Sequence, residues 1–152
     1  MFKLPDLGYD YASLAPHISK EVMELHHSKH HQAYVDKLNK AIETAPDFSG
    51  KSIEEVLTQL DKLPESIRTA VRNNGGGHYN HSLFWQWMTP GGASQPDGAL
   101  AESITDTFGN LDGLKAKFNA AATGLFGSGW AWLLPDMSIV TTPNQDSPLS
   151  LH

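Results

Sequence analysis

The chain has 152 residues, enough for one domain or two small layers sharing a core, and 39% of them are hydrophobic. A formal charge of −6 and the lack of any basic block argue against a nucleic-acid partner. The absence of cysteine excludes disulfides, thiolate metal sites and thiol catalysis.

The opening residues lack an apolar signal core, and no run approaches the ~18 apolar residues of a membrane span. A cytoplasmic protein with no membrane partner is therefore expected. Residues 1–17 are rich in turn formers, with Pro5, Gly8, Pro16 and two tyrosines, Tyr9 and Tyr11. Such a leader is expected to lie across a later element. Ser19 is a good N-cap, and Glu21 suits the first turn of a long helix running to about Ala45, where Pro46 stops it. Ser52 and Glu55 have the capping-box spacing and open a short helix through Leu60. Pro64 suits the start of a second long helix that reaches about Met88 before Thr89-Pro90-Gly91-Gly92. Two long helices with a short connection predict an antiparallel hairpin over residues 1–90.

The Gly/Pro/Ser stretch from Gly91 to Gly98 marks a boundary, so residues 91–152 form the second predicted domain. Helices are predicted over Ala99–Phe108 and Asp112–Phe126. Strands follow over Trp130–Leu134, with both tryptophans on one face, and Met137–Thr141. The expected fold is α+β: a helical hairpin followed by an incomplete α/β domain whose small antiparallel sheet needs a further strand or broad helix cover.

Four of the eight histidines, His26, His27, His30 and His31, crowd one stretch of the first helix. Stepping by four gives Ile18, Val22, His26, His30, Tyr34, Leu38 and Ile42, a ladder that describes one slowly drifting α-helical face. Polar rings in the middle of an apolar face have two readings. They are core histidines satisfied by carbonyls, or they hold a metal, for which neutral imidazole is the commonest protein ligand. Spacing does not choose between them. In the second helix, Gly75-Gly76-Gly77 precedes His78 and His81. Each glycine costs a helix ~1 kcal/mol against alanine, so the run reads as a loop unless close approach requires it. The apolar Leu83-Phe84-Trp85 that follows favours a continuing helix, with open space at Gly77 one turn before His81.

Four collinear stretches carry a family resemblance: Met23-Glu24-Leu25-His26-His27-Ser28-Lys29-His30-His31-Gln32-Ala33-Tyr34, Asn73 through Trp85, Phe126 through Leu133, and Asn144 through Leu149. Together they resemble the iron/manganese superoxide dismutases over essentially the whole chain. The resemblance implies that His26 and His81 are metal ligands, and that His30 and Tyr34 line the substrate gateway and relay protons. It also implies that Trp85, Trp130 and Trp132 wall the site and that Gln145 hydrogen-bonds metal-bound solvent. Glycine at Gly77 with glutamine at Gln145 resembles the manganese type, so manganese is the implied cofactor and iron a possible substitute. The implied reaction converts two superoxides and two protons to O₂ and H₂O₂ as the metal cycles between 3+ and 2+, in a homodimer or homotetramer.

The chain contains nothing similar to the family's Asp-x-Trp-Glu-His-Ala-Tyr motif, which supplies its remaining aspartate and histidine ligands. Asp146 and His152 are weak substitutes. A truncated chain is therefore expected to hold metal weakly, to turn over little and to expose Trp130 and Trp132. Two other readings suit such a chain. One is a non-catalytic hairpin binding Zn²⁺ or Ni²⁺ through His26, His27, His30 and His31; the other is a purely structural helical protein.

Overall fold

The computed structural model describes residues 1–150, so His152 lies outside the described residues. Two compact units are present, residues 1–91 and residues 92–148. No helix is long and apolar enough to cross a membrane among the described residues.

The first unit is built on two long helical segments. Ser19 caps the first, its hydroxyl accepting from the Val22 amide at 3.3 Å. This segment is not one uniform α-helix, as the ladder assumed. Helix α1 (Lys20–Leu25) gives way to a π-helical turn over His26–His31, and helix α2 (Gln32–Ile42) continues it. Within the wide turn the Ser28 hydroxyl donates to the Glu24 carbonyl at 2.7 Å. A short 3₁₀ turn (Pro46–Phe48) leads to helix α3 (Ile53–Leu57), where the Ser52–Glu55 capping box is complete. This helix ends three residues earlier than predicted, and a second 3₁₀ turn (Leu60–Lys62) follows. Helix α4 (Glu65–Trp87) then runs unbroken through the three glycines.

The two long segments are antiparallel, because positions that meet ascend on one as they descend on the other. His26 meets His81, His31 meets His78, Tyr34 meets Gly77 and Leu38 meets Gly75. The glycines are what allow this approach. A Cβ on Gly75 would lie 3.2 Å from Leu57 and 3.5 Å from Leu38, and one on Gly77 would lie 2.6 Å from the Tyr34 ring. Below that level, Leu38, Ile42, Ala45, Phe48, Val56, Leu63 and Val71 form a continuous apolar core.

The π turn also shifts which residues are buried. Before it, Met23 faces inward while Val22 is 52% exposed, so the predicted ladder is off by one position at its start. His27 and His31 are buried, and Val35, Leu38 and Ile42 continue the inward face. In an α-helix a step of four residues overshoots a full turn, whereas in a π turn the same step falls short of one. The wide turn thus cancels the drift the ladder would have accumulated.

In the second unit, helix α5 (Gly98–Phe108) precedes helix α6 (Leu111–Gly124), which Asn110 caps by accepting from the Gly113 amide at 2.8 Å. Strands β1 (Gly129–Leu133) and β2 (Ile139–Pro143) pair antiparallel, with Trp130 opposite Thr142 and Trp132 opposite Val140. The second strand begins two residues later than predicted, because Met137 adopts a positive φ of 64° in the connecting turn. A Cβ on Gly129 would collide with Leu125 and with the Thr142 carbonyl, so helix α6 covers the sheet closely. Trp132 is 5% exposed rather than left open, and its indole N–H donates to Thr142 Oγ1 at 2.9 Å.

Candidate metal centre

The centre lies where the π turn faces the glycine-bearing turn of α4. His81 Nδ1 is 2.7 Å from the Gly77 carbonyl. A carbonyl only accepts, so this nitrogen carries the proton and Nε2 presents a lone pair. That Nε2 lies 3.0 Å from His26 Nε2. The separation is less than twice a metal–imidazole bond of ~2.1 Å, so a single ion can reach both nitrogens. Burial is the main force holding His81 down to about 4, and the positive charges its histidine neighbours would carry push the same way, against the Gly77 carbonyl. Burial and then His30 also lower His26. Near neutral pH both rings are therefore neutral, as metal ligation requires.

His30 joins them. The ligating atoms of His26, His30 and His81 all lie within 4.8 Å of one another, with His30 exposed, His26 half-buried and His81 buried. No carboxylate belongs to this group among the described residues. Aromatic rings enclose it. Tyr34 packs edge-on against His30 at 4.9 Å between centroids and lies 5.4 Å from His81. Trp85 stands edge-on to His26 at 5.0 Å and is 2% exposed. The space expected at Gly77 is not open: the Tyr34 ring fills it. The glycine therefore seats the tyrosine, and its carbonyl sets the His81 tautomer.

The neighbouring histidines turn away from the centre and are fully engaged. Trp85 Nε1–H donates to His31 Nδ1 at 2.9 Å, leaving His31 Nε2–H to donate to His78 Nδ1 at 2.8 Å. Burial above all, then the nearby histidines, pushes His31 down to about 3, and burial likewise lowers His78. His27 Nε2–H donates to the Pro5 carbonyl at 2.8 Å, and Tyr11 O–H donates to its Nδ1 at 2.9 Å. The leader thus lies across the hairpin as expected, tied also by Tyr9 O–H donating to the Trp85 carbonyl at 3.0 Å. A four-histidine site using His27 and His31 is ruled out, since both nitrogens of each ring are already committed. The sequence carried one hint of these partners: a leader with two tyrosines and no regular period.

In the second unit, Trp130 Nε1–H donates to Gln145 Oε1 at 3.1 Å, and the rings of Trp130 and Trp132 lie 6.0 Å apart on one face of β1. Thr142, the cross-strand partner of Trp130, donates its hydroxyl to the Asp146 carbonyl at 2.7 Å. Gln145 therefore sits in a turn held to the sheet on both sides.

Comparison with known proteins brings these features together. Residues 1–89 match the model of the iron/manganese superoxide dismutase alpha-hairpin domain, and residues 96–152 match that of the C-terminal domain. A "Superoxide dismutase [Mn]" of Thermus thermophilus is 55% identical over 97% of this chain and 74% of its own length. A "Superoxide dismutase [Mn]" of Listeria monocytogenes is 53% identical over 98% of this chain and 75% of its own.

Proposed function

The chain belongs to the iron/manganese superoxide dismutases, and from that premise we propose that it disproportionates superoxide with manganese as its cofactor, at a centre containing His26 and His81. The observation that carries the reading is the 3.0 Å approach of two imidazole nitrogens from separate helices, within a chain matched by both family models. Iron is the alternative metal, since ligands of this type select among such ions by geometry and surroundings more than by raw affinity. The metal supplies a one-electron acceptor and donor, by which one superoxide leaves as O₂ and a second as H₂O₂.

The protein's own residues do the rest. His81 is oriented by the Gly77 carbonyl, which fixes its tautomer and raises its basicity as a ligand. His30 and Tyr34, one exposed and the other packed against it, handle the two protons the peroxide needs. Trp85, edge-on to His26, closes one wall. The family resemblance is the ground for assigning Gln145 to metal-bound solvent, whose protonation its amide would bias, and Trp132 to the site wall; within its own unit the Gln145 amide is held by Trp130. A cytoplasmic homodimer or homotetramer is part of the same proposal and rests on the family resemblance.

The test is manganese content and superoxide consumption of the product of the complete gene, beside its Gln145→Leu variant. Stoichiometric manganese in both, with slower turnover in the variant, is the expected result. Equal turnover removes Gln145 from the mechanism, and absence of turnover in the parent overturns the dismutase reading.

A further inference from the structure

Behind the centre, two oxidisable rings each rest their polar hydrogen on an imidazole nitrogen. Trp85 stands edge-on to His26 at 5.0 Å, and its Nε1–H donates to His31 Nδ1 at 2.9 Å. The same indole meets the His27 ring edge-on, with 5.7 Å between centroids. His27 in turn meets the Tyr11 ring at 5.8 Å, and the Tyr11 hydroxyl donates to its Nδ1 at 2.9 Å. Trp85 is 2% exposed whereas Tyr11 is half-buried, so the series Trp85, His27, Tyr11 runs from the wall of the centre towards the surface. A phenol that loses an electron becomes strongly acidic. Its oxidation is therefore easiest where a base within hydrogen-bond reach takes the proton in the same step. His27 Nδ1 is such a base, and the Pro5 carbonyl, 2.8 Å from Nε2, steadies the imidazolium that forms. Tyr9 of the same leader supplies the contrast: its hydroxyl donates to the Trp85 carbonyl at 3.0 Å, an acceptor too weakly basic to take a proton. The chain has no cysteine to serve as an alternative sink.

We propose that Trp85, His27 and Tyr11 form a relay that carries oxidising equivalents from the wall of the metal centre to the protein surface. The proposal rests on the dismutase reading only for the source of the oxidant, a one-electron oxidant of the hydroxyl- or carbonate-radical class formed from the peroxide product. Trp85 gives one electron to that radical, which leaves as its anion, while the indole N–H stays hydrogen-bonded to His31. Tyr11 then gives an electron to the oxidised indole and passes its phenolic proton along the existing hydrogen bond to His27 Nδ1. A soluble reductant of the ascorbate class returns an electron to the Tyr11 phenoxyl, and His27 returns the proton. Trp85, beside His26, is thereby restored before it is irreversibly oxidised.

Pulse radiolysis of the product of the complete gene with azide radical, which oxidises tryptophan selectively, tests the relay in metal-loaded and metal-free protein. The expected result in both forms is first-order decay of the tryptophan radical band matched by growth of the phenoxyl band, slower in D₂O than in H₂O. Tyr11→Phe should lose the phenoxyl growth and accumulate several-fold more oxidised Trp85 by peptide mass spectrometry, with unchanged circular dichroism. Tyr9→Phe should behave as the parent. In the unsubstituted protein, a spin trap should be recovered on Tyr11. Phenoxyl growth that persists in Tyr11→Phe, or that is lost in Tyr34→Phe instead, overturns the proposal. So does a rate indifferent to D₂O, or a trap recovered elsewhere. None of these outcomes touches the dismutase reading, whose failure shows separately as absent superoxide consumption by the manganese-loaded gene product.

Discussion

His26 and His30 differ from His27 and His31 by one position in the sequence and by everything else in the structure. The first pair faces His81 across a half-open site, with His26 Nε2 left to a single nitrogen partner 3.0 Å away. The second pair is buried, and all four of its ring nitrogens bond to Pro5, Tyr11, Trp85 and His78. The core reading is therefore realised at His27 and His31, and the convergence of rings that the metal reading needs lies on the opposite face of the same turn. Core histidines need partners for both nitrogens, whereas ligating histidines need one nitrogen held and the other left bare. His81 has Nδ1 held by the Gly77 carbonyl while its Nε2 faces His26.

The contrast can be broken most severely at His31. His31→Ala should destabilise the metal-free protein by ~3 kcal/mol or more in urea denaturation, since it opens a cavity and strands the buried Trp85 N–H and the His78 nitrogen. His26→Ala should cost far less stability and instead abolish metal binding. Equal losses in the two variants would erase the distinction between the faces.

Acid should attack the same buried rings. His31 is held near 3 and His81 near 4 in the folded protein, below the ordinary histidine value of 6.5. The unfolded chain therefore binds more protons than the folded one in this window. Stability is complete above pH 6.5 and falls as pH drops from there towards 4 and 3, by about 1 kcal/mol per pH unit for each ring. Urea midpoints of the metal-free protein between pH 7 and 4 measure the slope, and His31→Gln should flatten it.

Gly77→Ala sharpens the comparison from the other helix. Alanine favours a helix by ~1 kcal/mol over glycine, yet its methyl would lie 2.6 Å from the Tyr34 ring. We expect a net loss of ~1–2 kcal/mol in thermal denaturation and a displaced Tyr34 ring resonance in NMR spectra. A rise in melting temperature would show that Tyr34 has room to retreat. The smallest effect is expected at the leader: Tyr11→Phe removes the hydroxyl that bonds His27 and should cost ~1 kcal/mol without altering metal affinity.

Much of the fold was legible because its signals are local. Ser19, the Ser52–Glu55 box and Pro64 mark helix starts through bonds within one turn, and each lies where the helices begin. The continuation of α4 through three glycines could be inferred only from the apolar residues after them, since propensity alone argues for a loop. The strand shift at Met137 was not legible, because a positive φ at a non-glycine residue has no pattern in composition.

By itself the sequence determined the helical hairpin, the two-stranded sheet and, through four collinear motifs, the family and its manganese-type chemistry. Only the tertiary structure decided which imidazoles face the centre. An i, i+4 pattern identifies a face only if the turn is α-helical, and the turn at His26–His31 is π-helical. Which way each ring points then depends on partners 16 to 55 residues distant, from Tyr11 to His81. The same holds for Gly77: the sequence shows a missing side chain, but only the packing of the two helices shows that Tyr34 takes its place.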